Sequence, residues 1–317
     1  MKNVTSKFEG PEKKLEIILF EPQSDLRSDA DRRWSRVVRA SQAEIISRKS
    51  NEFMDAYLLS ESSLFVWEDR ILIITCGQTT LTKAVPAILD YVDRRNVALV
   101  FYERKNLMFP QKQPADFEED VSCIEKYFPG KSYRLGPANH DHIHVFYSSH
   151  ASIAVEKDAT LQILMHDLHP SATRIFLATG SLSKDQIFQI LGFNRIFPQM
   201  DTDSYLFTPY GYSINGIDQH KYFTVHVTPQ PEGSYASFET NVIRNDYSDV
   251  IADVVSIFKP EKFSLLLTTS MDQDCLKLHP TVADAVPSYD TVEKSLYEFD
   301  CGYAVTFLNY MIKIDDG

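Results

Sequence analysis

Apolar runs of strand length alternate along this chain with stripes of helical period, and the order occurs twice. Residues 15–20 form a β-branched apolar run that predicts a strand. Trp34, Val37 and Val38 give residues 31–39 the face of an amphipathic helix, and residues 43–47 read as a short strand. Residues 57–67 read as one strand, joined through a turn at 68–70 to a second at 71–75. A helix is expected over about 81–93, tolerating Pro86 near its start, and a strand over 97–102.

The second half repeats this order. Ser183 and Gln186 have capping-box spacing, so a helix is expected from Ser183 to near Gly192. A turn over 211–216 should precede strands at 222–227 and 234–239. Val250, Ile251, Val254, Val255 and Phe258 share one face of a helix over 248–258, which Pro260 ends; a strand at 263–268 follows. Hairpins interleaved with helices in two similar halves predict an α+β fold, with sheets packed together and helices outside.

Strand phase adds a chemical hint. Tyr222, Thr224 and His226 share one face, Phe223, Val225 and Val227 the other. The next strand sets Tyr235, Ser237 and Glu239 opposite Ala236 and Phe238. A polar face of this kind is either the solvated side of a sheet or the wall of a site.

At 317 residues, 44% hydrophobic and 24% charged, the chain has the composition of a globular protein with a substantial core. Its 32 basic residues against 44 acids leave a net charge of −12, which opposes nucleic-acid or anionic-membrane binding and suits a cationic substrate. Four scattered cysteines without CxxC pairing read as reduced thiols, and no apolar run reaches membrane-spanning length; a cytoplasmic protein is expected.

The segment 57–66, YLLSESSLFV, places a Glu61-Ser62 bond inside an apolar stretch. A serine there is either strand filler or, when its peptide is tightly held, a nucleophile toward the preceding carbonyl. With FEGPEK at 8–13, TCG at 75–77, FTPYGYSING at 207–216, and HVTP at 226–229 followed by SYASFE at 234–239, the chain resembles the eukaryotic-type S-adenosylmethionine decarboxylases over nearly its whole length.

The resemblance implies a four-layer αββα sandwich of two antiparallel sheets with helices outside. It implies one domain, self-cleaved between Glu61 and Ser62 into a β chain (1–61) and an α chain (62–317). Ser62 would become a pyruvoyl group, forming a Schiff base with S-adenosylmethionine so that CO2 can leave and the carbanion be delocalised. The product would serve spermidine synthesis. By position, Ser213 matches the hydroxyl that stabilises the processing intermediate. His226 matches the base that takes the Ser62 α-proton, and Cys76 the donor that returns a proton to substrate Cα. Phe8 and Phe207 match rings that stack on the adenine, and Leu59 a backbone contact to its edge. Glu9 and Glu12 match acids near the substrate. Taken singly, each has a plain structural reading: core ring, strand histidine, turn serine, buried thiol, surface acid.

The chain departs from the family at several positions. Gln230 stands where a glutamate binds the ribose hydroxyls, and Gly233 replaces an aromatic residue. A buried acidic cluster binds putrescine in some members. Glu16, Asp158, Thr160 and Glu239 match it, but Gln162 replaces an acid, Ile74 a lysine and Glu103 a serine, so putrescine activation is not carried over. The resemblance allows a monomer or a sheet-edge homodimer. His140, His142 and His144 alternate, and they read as a strand or loop face with no metal site. Asp116, Glu118, Glu119 and Asp120 read as a solvated helix start. Two other functions compete: a catalytically weak paralogue that regulates a partner decarboxylase, and a pyruvoyl decarboxylase of another amino acid.

Overall fold

The computed structural model describes residues 12–28, 32–105, 110–150, 157–177, 182–230, 233–283 and 286–313. The strands of the first half are β1 (Lys13–Leu19), β2 (Ile45–Ser50), β3 (Asp55–Leu59), β4 (Ser62–Val66), β5 (Arg70–Thr75), β6 (Val97–Lys105), β7 (Lys131–Leu135) and β8 (Ile143–Ser149). Those of the second are β9 (Ala159–Leu168), β10 (Asp201–Leu206), β11 (Tyr212–Asp218), β12 (Lys221–Thr228), β13 (Tyr235–Thr240), β14 (Pro260–Ser270), β15 (Tyr289–Phe299) and β16 (Tyr303–Ile312). They form two eight-stranded antiparallel sheets, ordered β2-β3-β4-β5-β1-β6-β8-β7 and β10-β11-β12-β13-β9-β14-β16-β15. Each strand of the second order stands eight places after its counterpart in the first. The two halves therefore share one topology.

Helices cover the outer faces. Trp34, Val37 and Val38 of the helix Arg33–Ala40 pack with Leu15, Ile17, Tyr57 and Leu64 of the first sheet. The apolar stripe of the helix Ser248–Phe258 packs on Leu161, Ile163, Val225 and Phe238 of the second. Inner faces meet through Leu99, Phe101, Leu164, Leu266 and Phe307 in one cluster, and through Phe65, Trp67, Ile217 and Tyr222 in another. The expected four-layer αββα sandwich is the observed one.

Local signals held where their chemistry is strong. Ser183 caps the helix Lys184–Leu191 in a full capping box with Gln186, and Gly192 closes it at φ 72°. Ser248–Phe258 matches its expected bounds, and Lys259 stops it in the left-handed region. Cys76, Cys123, Cys275 and Cys301 are free thiols.

Three expectations are corrected. Residues 57–67 are two strands: Leu59 pairs with Ser62 across a tight turn at Ser60 and Glu61. Residues 211–216 lie mostly within β11, and Gly216 answers to packing there: a Cβ would meet the Phe223 ring at 2.2 Å. The acidic group at 116–120 is also more than a solvated helix start. Asp116 and Glu119 form a capping box, but Asp120 is buried, accepting from Tyr102 Oη and Thr82 Oγ1 and paired with Arg104.

Candidate active site

The two halves carry equivalent hairpins with different turns. In β11–β12 the left-handed residue is Gln219 within the turn, at φ 53°. In β3–β4 it is Ser62, the first residue after the turn, at φ 138°. A residue with a Cβ adopts that backbone at a cost of about 1–3 kcal/mol. Ser62 is buried, and its Oγ has no hydrogen-bond partner among the described residues.

The peptide oxygen before it is firmly held. Glu61 O accepts from the Cys76 N–H at 3.0 Å, and Cys76 Sγ lies 3.4 Å away. Cys76 follows β5, whose Thr75 pairs with Ser62. Lys13, which sequence reasoning passed over, fixes this loop from β1: its Nζ donates to Gly77 O at 3.2 Å, Thr79 O at 2.7 Å and Gln113 Oε1 at 2.8 Å. Burial, aided by the Glu61 and Glu12 charges, pushes the Cys76 thiol well up, so it keeps its proton. Burial also raises the Glu61 carboxyl to about 7 against the pull of Lys13.

From the opposing sheet, paired residues Ser213 and His226 face each other, Ser213 Oγ 2.8 Å from His226 Nδ1. The ring's other nitrogen lies 2.8 Å from Thr224 Oγ1 and 3.3 Å from Ser63 Oγ. Asn215 Oδ1 accepts from both hydroxyls, at 2.8 and 2.7 Å. Burial lowers the His226 imidazolium to about 3, so the ring is neutral at ordinary pH. The structure thus joins the Ser62 strand to His226 through Ser63, for which the motifs give no role. The polar face of β12 is an inner wall, not a solvated side. Its two readings were separable only once the second sheet was in place.

Of the remaining expected residues, Phe8 and Glu9 lie outside the described residues. Glu12 is buried and accepts from the Ser237 hydroxyl; burial pushes its carboxyl up to about 8. Leu59 is fully buried opposite Ser62. Phe207 is half-buried beside Tyr205, ring centroids 4.9 Å apart. Gln230 holds a buried Oε1 with no hydrogen-bond partner among the described residues.

The residues of the acidic cluster also meet between the sheets, and in company that sequence reading missed. Arg70 lies 3.3 Å from Glu16 and 2.7 Å from Asp158, which also accepts from Tyr303 Oη at 2.8 Å. Lys14 Nζ lies 3.1 Å from Glu239, itself bonded by Tyr222 Oη. Gln162 donates to Glu103 at 2.8 Å, and Thr160 is buried on β9. Burial works against the Lys14 charge, but Glu239, Glu103 and Glu16 outweigh it. A plain strand alternation placed Lys14 beside Glu12 and Glu16, yet gave no sign that its face was internal.

His142 Nδ1 lies 2.8 Å from His140 O, and His144 stacks on Phe117 at 4.7 Å. Among the described residues no group of His, Cys, Asp or Glu could hold a metal ion, and no helix is long and apolar enough to cross a membrane.

Known proteins resemble this chain in sequence and in fold. A family profile described as adenosylmethionine decarboxylase matches residues 5–311. The chain is 34% identical over 324 residues to the S-adenosylmethionine decarboxylase proenzyme of Dictyostelium discoideum, covering 96% of this chain and 85% of that one. It is 35% identical over 331 residues to the proenzyme of the same name from Trypanosoma cruzi, covering 97% and 90%. The crystal structure of the Trypanosoma brucei AdoMetDC-delta26 monomer superposes with a TM-score of 0.64 at 28% identity, over 79% of this chain and 99% of that one. Fold and sequence agree: the chain belongs to the adenosylmethionine decarboxylase family.

Proposed function

We propose that this chain decarboxylates S-adenosylmethionine with a pyruvoyl group made from its own Ser62, after cleavage into chains 1–61 and 62–317. The observation that carries the reading is the state of the Glu61-Ser62 peptide. Ser62 has a strained backbone and a buried hydroxyl with no partner among the described residues, while the Glu61 carbonyl is polarised by the Cys76 N–H.

In processing, Ser62 Oγ attacks the Glu61 carbonyl carbon, the C–N bond breaks, and the peptide becomes an ester with a free Ser62 amine. His226 takes the Ser62 α-proton, the Cβ–O bond breaks, and Glu61 leaves as a carboxylate. The resulting enamine becomes an imine, which water hydrolyses with release of ammonia. The keto group so formed supplies the electron sink for CO2 loss. Cys76, a protonated thiol, returns a proton to substrate Cα. Phe8 and Phe207 stack on the adenine, the Leu59 backbone meets its edge, and Glu9 and Glu12 serve as acids near the substrate. Gln230 accepts from the ribose hydroxyls, in keeping with a buried Oε1 that has no partner among the described residues.

Activity is independent of putrescine, because Lys14 and Arg70 already provide the cations that the buried carboxylates need. The protein acts in the cytoplasm, as a monomer or a sheet-edge homodimer. A different amino-acid substrate is the second reading, favoured by glutamine at position 230. A purely regulatory role fits poorly with a chain that keeps Ser62, Cys76, Ser213 and His226 together.

Intact mass and release of labelled CO2 test the proposal. Two fragments meeting at Glu61 and Ser62, with CO2 released from S-adenosylmethionine and not from ornithine or arginine, support it. A single 36.3 kDa species with full activity overturns it.

A further inference from the structure

We propose that Asn215 is a positioning residue that fixes the tautomer of His226, with the proton on Nε2 and the basic lone pair on Nδ1, against Ser213. The inference rests on the processing role proposed for His226. It follows from counting protons around one side-chain amide. Asn215 Nδ2 donates to the main-chain oxygen of Tyr57 at 3.2 Å, so the amide cannot be flipped without setting two acceptors against each other. Its Oδ1 must therefore face Ser63 and Thr224, at 2.7 and 2.8 Å, and as an acceptor it takes the hydroxyl proton of each. Both hydroxyls then offer only lone pairs to His226 Nε2, 2.8 Å from Thr224 and 3.3 Å from Ser63.

Nε2 consequently carries the hydrogen. A neutral imidazole has only one, so Nδ1 is bare and accepts the Ser213 hydroxyl at 2.8 Å. Each of the five bonds in this network then runs from a donor to an acceptor: Asn215 to Tyr57, Ser63 and Thr224 to Asn215, His226 to Thr224, Ser213 to His226. The opposite tautomer would set a ring lone pair against two oxygens whose protons are already committed. The hydrogen-bond direction thus starts at a backbone carbonyl of β3 and ends with a base whose lone pair faces Ser213. Elimination needs that lone pair: Nδ1 takes the Ser62 α-proton, directly once the Ser213 hydroxyl turns away or by exchange through it.

Nitrogen-15 NMR of the His226 ring in the uncleaved Ser62→Ala chain tests this. The expected spectrum has a protonated Nε2 and an unprotonated Nδ1. Asn215→Leu keeps the shape but frees the Ser63 and Thr224 protons, so the ring should shift toward Nδ1–H; Asn215→Asp keeps the acceptor and should retain the parent tautomer. With Ser62 restored, Asn215→Leu should still form the ester, detected as hydroxylamine-sensitive release of fragment 1–61. Elimination should be slower on the order of 10²-fold, and Asn215→Asp should recover most of the rate. If Asn215→Leu does not fold, Asn215→Ala removes the same acceptor. An Nδ1–H tautomer in the Ser62→Ala parent, or an unchanged tautomer in folded Asn215→Leu, overturns the proposal. Failure of the wild-type chain to cleave would sink the processing reading while leaving the tautomer result to stand by itself.

Discussion

Cys76 meets Glu61 twice, its N–H donating to the carbonyl oxygen at 3.0 Å and its sulfur lying 3.4 Å from the same atom. The main-chain group survives any substitution of the side chain. Cys76→Ala should therefore still cleave, within about tenfold of the parent rate, while CO2 release falls by about 10²-fold or more for want of a proton donor. Denaturing electrophoresis and the CO2 assay on one preparation separate the two effects. Equal loss of both would assign the thiol to processing.

Backbone strain at Ser62 makes a second prediction. Ser62→Ala and Ser62→Gly both lack the nucleophile and should remain single chains. Glycine relieves the positive φ but adds chain entropy, so the glycine precursor should be more stable by about 1 kcal/mol. Urea denaturation of the two variants side by side measures it, and an alanine form of equal or greater stability would remove strain from the account.

Lys14 sits in a buried pair with Glu239, and breaking such a pair from one side costs about 3–5 kcal/mol. Lys14→Met should lose that much stability. Added putrescine should recover part of it and leave the parent chain's activity unchanged. Putrescine stimulation of the parent would show that Lys14 and Arg70 do not suffice.

At Gln230, a carboxylate would make charge-assisted bonds to ribose hydroxyls. The gain is about 1 kcal/mol, and Gln230→Glu should lower the KM for S-adenosylmethionine roughly fivefold with kcat little changed. A KM that rises, with better turnover of another amino acid, would favour the alternative substrate.

Glu12 supplies a pH dependence of stability. Its carboxyl is raised to about 8, chiefly by burial, so from the ordinary carboxylate range up to pH 8 the folded chain holds a proton that the unfolded chain has released. Stability contributed by this group falls as pH rises through that window. In the Ser62→Ala background, Glu12→Gln should flatten the curve, and its advantage should grow to a few kcal/mol by pH 8. Thermal unfolding at pH 5, 7 and 8.5 reads the difference; parallel curves would mean that Glu12 ionises normally.

What the sequence made legible follows from how local each signal is. The helix Ser248–Phe258 and the Ser183–Gln186 cap depend on residues within a turn or two of each other, and both appear as expected. The Ser60-Glu61 turn lacks glycine, asparagine or proline, so nothing local separated β3 from β4. Gly216 gave a turn signal for a reason that lies across the sheet, in the ring of Phe223. The positions proposed as catalytic were picked out by their motifs. Lys13, Lys14, Asn215 and Thr224 were not, because their roles depend on which strands face one another, and that is fixed by pairing between distant segments.

Strand order in the first sheet also governs what cleavage would leave behind. Fragment 1–61 contributes β1, held between β5 and β6, together with β3 against β4. Severing the peptide would free no strand: the shorter piece would stay woven into the longer one by three hydrogen-bonded ladders. The two would form a composite whose parts were made as one molecule and, once denatured, would have to find each other in solution. Maturation would then be a ratchet. The continuous chain would carry the information needed for folding, and the cleaved form would keep the shape without the covalent link that produced it.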